Sequence, residues 1–141
     1  MTKIKTIRFF LGKIQLAVNG NCTKNPENER KGIIRTPNYP LQNYENKMDC
    51  TWTLTASNGK RIVIDPFQIS IEGCNPKDNK KPKCTCDYLY IQTSQSEAGK
   101  RYCGEKAVPG IESKENVLLL RFHSDEGMQR FRGFKLKYHV K

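Results

Sequence analysis

Six cysteines, at positions 22, 50, 74, 84, 86 and 103, lie within 141 residues. In so short a chain they point to an oxidising compartment, where disulfides persist and support a modest core. Spacing alone does not choose among the possible pairings of Cys22, Cys50, Cys74, Cys84, Cys86 and Cys103. Zinc is the rival use, with His123 as a fourth ligand. However, Cys84-Thr85-Cys86 reads as two thiols on one strand face, and no paired C-x2-C knuckle occurs, so disulfides are expected.

The length suits one ordinary domain. No run approaches the ~18 apolar residues of a membrane-spanning helix. The aromatic and β-branched residues fall in short patterned clusters, which argues against a disordered chain. Residues 1–21 read as an N-terminal extension: a degraded signal, a strand of its own, or the junction of a longer protein. Their stretch Ile4 to Val18 is apolar behind a basic start, but Lys13 and Gln15 interrupt it. The domain proper is expected over residues 22–141.

Turn signals recur at Asn19-Gly20, Pro37-Asn38-Tyr39-Pro40, Asn58-Gly59, Asn75-Pro76, Cys103-Gly104 and Pro109-Gly110. Between them the apolar residues alternate with period two. Cys50, Trp52 and Leu54 share one face of a strand, with Trp52 as a core anchor, and Ile62 and Ile64 share another. Ile69 and Ile71 continue at the opposite parity, so a bulge or bend near Pro66-Phe67 is required to keep one face buried. Tyr88 to Thr93 and Val117 to His123 read as further strands, with Tyr88 and Tyr90 as packing residues. In the last one, Phe134, Leu136, Tyr138 and Val140 alternate with Lys135, Lys137, His139 and Lys141. No segment sustains a helical period. The fold class is therefore all-β, an antiparallel two-sheet sandwich stapled by disulfides.

The net charge of +11 is concentrated. Basic residues gather in the first twenty positions, in the loop carrying Lys77, Lys80, Lys81 and Lys83, and in the C-terminal stretch with Arg130, Arg132, Lys135 and Lys137. Such clusters suit a solvated face or contacts to heparin-like glycans. Nucleic acid is not expected, for want of an aromatic stacking platform or a recognition helix. Nor is an enzyme: His123 and His139 are the only histidines, and no phosphate loop, nucleophile elbow or metalloprotease motif is present. Asn21-Cys22-Thr23 is a glycosylation sequon, in keeping with secretion.

Glu72 follows the end of one strand and Asp87 precedes the next. If those strands pair antiparallel, both acids lie at one end of a sheet.

A longer pattern runs through the chain. Gly32-Ile33-Ile34, Thr36-Pro37-Asn38-Tyr39-Pro40, Tyr44 and Cys50-Thr51-Trp52 are followed by Gly59, Ile62, Ile64, Ile69 and Ile71-Glu72. Next come Cys84-x-x-Asp87-Tyr88-Leu89-x-Ile91, Cys103-Gly104, Asn116-x-Leu118, Phe122-x-Ser124-Asp125 and Gly133-Phe134. In this order and spacing the chain resembles a CUB domain of the calcium-binding type. The resemblance implies a secreted or cell-surface β-sandwich that acts as a protein-interaction module, alone or as a regulatory piece of a CUB-containing protease. It implies the disulfides Cys22–Cys50 and Cys84–Cys103, leaving Cys74 with Cys86. The alternative of Cys74–Cys84 with Cys86–Cys103 stays open at this level.

It also implies that Glu72, Asp87 and Asp125 hold Ca²⁺, with Tyr44, Ser124 and Glu126 in support. Calcium takes 6–8 oxygen ligands. The ion would order acidic loops that receive a lysine or arginine of an extracellular partner. Two departures stand out. Cys86 replaces a common aromatic, and Glu126-Gly127-Met128 follows Asp125 where a serine and an asparagine are usual. The Glu126 carboxylate could compensate.

Overall fold

The computed structural model describes residues 14–22, 30–74, 84–127 and 130–141. These form strands β1 (Gln15–Gly20), β2 (Lys31–Arg35), β3 (Asp49–Thr55), β4 (Ile62–Ile64), β5 (Phe67–Ile71) and β6 (Tyr88–Gln92). They continue with β7 (Lys100–Tyr102), β8 (Gly104–Val108), β9 (Ile111–Glu112), β10 (Val117–His123) and β11 (Gly133–Val140). Among the described residues no helix is long and apolar enough to cross a membrane.

The strands make two antiparallel sheets. The first has the order β1-β3-β10-β6-β7. In the second, β11 is central: Tyr138 pairs with Gly32 of β2 on one side and Ile64 of β4 on the other. Farther along, Phe134 pairs with Ile69 of β5, and β8 and β9 edge β5 and β4.

Alternation in the sequence explains which faces meet. Cys50, Trp52 and Leu54 of β3, and Leu118, Leu120 and Phe122 of β10, are fully buried. Against them pack Phe134, Leu136 and Tyr138 of β11. Trp52 meets Phe134 edge-on at 6.1 Å, joining the sheets. Such a contact contributes about 0.5–1.5 kcal/mol beyond its buried area. Tyr88 and Tyr90 take the parity opposite to the buried Leu89 and Ile91, so they pack on the outer side of the first sheet. There Tyr88 stacks on His123 at 5.2 Å and lies under the Arg101 guanidinium at 4.0 Å.

The parity change between Ile64 and Ile69 is resolved by the expected bulge. Tyr138 pairs with Ile64 and Phe134 with Ile69, so four steps along β11 face five along β4–β5. The extra residue falls around Asp65-Pro66, where proline has no N–H to offer the ladder. Ile62, Ile64, Phe67, Ile69 and Ile71 are all buried as a result.

β1 pairs with β3 along its whole length, from Gln15↔Thr55 to Gly20↔Cys50. The stretch preceding Ile14, on which the signal reading also rests, lies outside the described residues.

Three disulfides join Cys22 to Cys50, Cys74 to Cys86 and Cys84 to Cys103. This overturns the alternative pairing and the use of cysteine for zinc, since no cysteine is free. The physical reason lies in the backbone. Cys84-Thr85-Cys86 precedes β6 rather than forming a strand, and Cys84 sits at φ 53°. The two sulfurs therefore do not share a strand face, and each reaches a different partner.

A second correction concerns the acids. β5 and β6 do not pair; they belong to opposite sheets. Glu72 and Asp87 instead meet where the chain passes from one sheet to the other.

Candidate metal centre

Glu72 directly follows β5, Asp87 directly precedes β6, and Asp125 lies two residues beyond β10. Antiparallel pairing of β6 with β10 sets His123 opposite Tyr88, which carries Asp87 and Asp125 to the same end. The Asp87 N–H donates to the Glu72 carbonyl at 3.3 Å, fastening the second sheet's loop to the first. Each acid offers one carboxylate oxygen to a group whose members lie within 4.8 Å of one another.

Tyr44 organises the cluster from below. It is 2% exposed, and its ring meets Phe122 edge-on at 5.1 Å. Its hydroxyl donates to Asp87 Oδ2 at 2.6 Å and accepts from the Glu72 N–H at 3.0 Å. Asp87 Oδ1 accepts from the Asp125 N–H at 2.8 Å, and Asp125 Oδ1 accepts from the Gly127 N–H at 2.8 Å. A Cβ at Gly127 would stand 3.0 Å from Asp125 Oδ1 and 3.4 Å from Glu72 Oε1, so a side chain there would crowd the carboxylates.

The electrostatics is that of an uncompensated site. Among the described residues, no ion pair joins Glu72, Asp87 or Asp125 to a lysine, arginine or histidine. Burial pushes the Glu72 carboxyl above its ordinary value, and the charges of Asp87 and Asp125 push it further. Asp87 is also raised by burial, against the lowering effect of its bond from Tyr44. The Tyr44 hydroxyl is raised far above the ordinary tyrosine range by burial and by its bond to Asp87, so it remains a donor. Glu72 Oε1 is buried without a hydrogen-bond partner among the described residues. An orphaned oxygen amid carboxylates costs free energy unless a cation or proton meets it. All donors here are hard oxygens, which suits Ca²⁺ and not a thiophilic metal. The Cys74 and Cys86 sulfurs lie within 4.8 Å of an Asp125 carboxylate oxygen, but they are consumed in their disulfide.

The other residues singled out in the sequence sit as follows. Ser124 is 1% exposed, and its hydroxyl accepts from the Met48 N–H at 2.8 Å and donates to the Glu45 carbonyl at 2.7 Å. It pins the loop that carries Tyr44. The Glu126 carboxylate lies 2.7 Å from Lys47 Nζ. Arg132 donates to the Pro40 and Leu41 carbonyls at 3.3 and 2.9 Å, holding that turn, and Arg130 is exposed. Lys77, Lys80, Lys81 and Lys83 lie outside the described residues. The Asn21 side chain donates to the Lys47 carbonyl at 3.2 Å and accepts from the Asp49 N–H at 3.0 Å, while Thr23 of its sequon lies outside the described residues. Sequence reading missed the N–H groups of Asp125 and Gly127. Only the glycine at 127 hinted at the second, by leaving room beside the carboxylates.

Comparison with known proteins matches this architecture to one family. The CUB domain family pattern covers residues 22–138, and the chain belongs to that family. CUB domains are interaction modules without catalytic activity of their own.

Rat cubilin is 31% identical over 110 residues, covering 76% of this chain and 3% of cubilin. Human mannan-binding lectin serine protease 1 is 29% identical over 120 residues, covering 83% of this chain and 16% of that protein. The chain thus spans a small part of the curated relatives it matches. Among solved structures, the MASP-1 CUB2 domain bound to Ca²⁺ superimposes with a TM-score of 0.68 at 28% identity, over 84% of this chain and 99% of that one. The full extracellular region of zebrafish Gpr126 superimposes with a TM-score of 0.62 at 25% identity, over 79% of this chain and 14% of that one.

Proposed function

We propose that this chain is a secreted interaction module in which Glu72, Asp87 and Asp125 hold a calcium ion, and that the loops so ordered receive a basic side chain of a partner protein. The observation that carries the reading is the buried Glu72 Oε1, without a hydrogen-bond partner among the described residues, in a group of three carboxylates that no described residue meets in an ion pair. The structural likeness to a calcium-bound CUB domain supports it.

The ion would neutralise carboxylates that otherwise raise one another's proton affinity. Tyr44 and the backbone N–H groups keep the carboxylates aimed, so little conformational freedom remains to be lost when a lysine or arginine docks. The Cys74–Cys86 bridge lies between Glu72 and Asp87 in sequence and ties their loops together. The relatives' length suggests that the module works within a larger extracellular protein, a regulatory segment of a protease being one such setting.

Calorimetric titration with CaCl₂ tests the site. Saturable binding in the wild type, lost in Asp125→Ala, is expected. No heat at millimolar calcium, or an Asp125→Ala variant that binds like the wild type, would refute it.

A further inference from the structure

We propose that the outward face of the first sheet holds a binding site for a terminal acidic sugar, a pyranose bearing one carboxylate such as a sialic acid, with Arg101 as the partner of that carboxylate. This goes beyond the calcium reading and uses none of the residues of the acidic centre.

Strand register places the parts. Arg121 of β10 stands opposite Thr51 of β3 on one side and Tyr90 of β6 on the other, and Tyr90 stands opposite Arg101 of β7. One row of outward side chains therefore crosses four strands, with its two arginines two strand spacings, ~10 Å, apart. Above the backbone the row parts. Arg121 leans towards one end of the sheet, where its Nε and Nη2 donate to Asp49 Oδ1 and Oδ2 at 3.1 and 3.2 Å. Arg101 leans the same way, donating from Nη1 to the Cys84 carbonyl at 3.1 Å and lying 4.0 Å from the Tyr88 ring centre. Tyr90 leans the other way, and its hydroxyl accepts from the Gly99 N–H at 2.8 Å. Glycine permits this, since a Cβ at position 99 would stand 2.5 Å from Tyr90 Cζ. Between the diverging side chains opens a concavity of about 380 Å³, lined also by Thr51, Tyr88 and Leu119.

Charge selects the ligand. The Arg121 guanidinium is balanced by Asp49, which lies on the same face. Among the described residues Arg101 meets no carboxylate. The site thus carries one uncompensated positive charge, which matches a single carboxylate better than the dense charge of a sulfated or phosphate polymer. Arg101 uses one of its five N–H donors on Cys84 and keeps others to fork a carboxylate. Its contact with the Tyr88 ring, itself stacked on His123 at 5.2 Å, holds the guanidinium ready.

The remaining surface suits a sugar ring. The Thr51 and Tyr88 hydroxyls make no hydrogen bond among the described residues and can meet ring hydroxyls, as can the N–H groups of Arg121 not given to Asp49. Leu119 and the Tyr90 ring supply an apolar wall for the C–H face of a pyranose. The volume lies at the small end of the ~300–1,000 Å³ range of ligand pockets, room for one ring and not for a chain. An aspartate or glutamate side chain of a protein would satisfy Arg101 but leave the hydroxyls and the apolar wall unused.

The probe is the methyl α-glycoside of N-acetylneuraminic acid, titrated in EDTA into the isotope-labelled chain and followed by backbone amide NMR shifts. Saturable shifts centred on Thr51, Tyr90, Arg101 and Arg121 are expected. Arg101→Ala should weaken binding about tenfold, as loss of charge-assisted hydrogen bonds implies. Leu119→Trp fills the concavity without changing charge and should abolish binding. Lys100→Ala removes the same charge one residue away, where the ammonium lies 5.1 Å from the Tyr102 ring centre, and should bind like the wild type. Arg101 and Lys100 are both exposed, so neither substitution reaches the core. Absence of saturable shifts, equal affinity for neutral methyl β-galactoside or for acetyl-glutamate amide, unchanged binding in Arg101→Ala or Leu119→Trp, or an equal loss in Lys100→Ala would overturn the assignment.

Discussion

Tyr44→Phe isolates one oxygen atom at the centre of the site. The ring keeps its edge-on contact with Phe122 at 5.1 Å, so the core loses no volume. What disappears is the donor to Asp87 Oδ2 at 2.6 Å and the acceptor of the Glu72 N–H at 3.0 Å. Asp87 is wholly buried, and removing a donor from a buried charged acceptor costs about 2 kcal/mol. The Glu72 N–H is only partly buried and is recovered in part by water, for about 1 kcal/mol. The calcium-free protein should therefore lose about 3 kcal/mol, or about 10 °C in melting temperature for a chain of this size. Calcium affinity should fall by about 10–100-fold, the effect typical of removing a group that orients a metal ligand. Thermal unfolding in EDTA measures the first quantity and calcium calorimetry the second. A variant that melts within a degree or two of the wild type and binds calcium unchanged would show that the hydroxyl does not organise the acids.

Replacing both Cys74 and Cys86 by serine opens a link between residues 12 apart, worth about 3 kcal/mol in chain entropy. Calcium affinity should fall while the other two bridges hold the fold; an unchanged affinity in calorimetry would separate this disulfide from the site. Glu72 and Asp87 carry folded-state pKa values above their ordinary 4.5 and 3.8, so the calcium-free fold binds protons more tightly than the unfolded chain. Their contribution to stability in EDTA therefore rises as pH falls from about 7 towards those raised values, while calcium loses to the competing protons. The melting shift produced by calcium should shrink as pH falls from neutrality towards those raised values; a shift that grows on acidification would contradict the assignment of the ligands. Gly133→Ala forces a side chain into φ 99° and onto the side chain of the buried Thr36, so the urea midpoint should drop by the equivalent of about 2–4 kcal/mol.

The legible parts of this fold were the runs that present a complete apolar face, in β11 by strict alternation and in β10 despite apolar residues on both faces at Val117–Leu120. Val117 to His123 and Phe134 to Val140 became β10 and β11 because both carry a full face of large apolar residues. The parity flip at Pro66-Phe67 alone requires a bulge or bend there. β7, β8 and β9 were silent, since they are short, mostly exposed strands whose pairing is dictated by their neighbours. The acids could be chosen from the family resemblance, but the reason for their meeting could not. Alternation tells which face of a strand is buried, not to which sheet the strand belongs, and the exchange of sheets between β5 and β6 is what joins Glu72 to Asp87. The Cys84-Thr85-Cys86 spacing misled in the same way, because period two was assumed where Cys84 takes a left-handed backbone.

A chain of net charge +11 can hold an acidic centre because the fold separates the two signs by structural role. The acids occupy loop positions at strand ends, where Tyr44, Asp125 N–H and Gly127 N–H aim them at one point. The bases of the β2–β11 face occupy ladder positions, where alternation points them away from the core. Salt screens charges beyond about 8–10 Å, so a partner at contact reads the local arrangement rather than the sum.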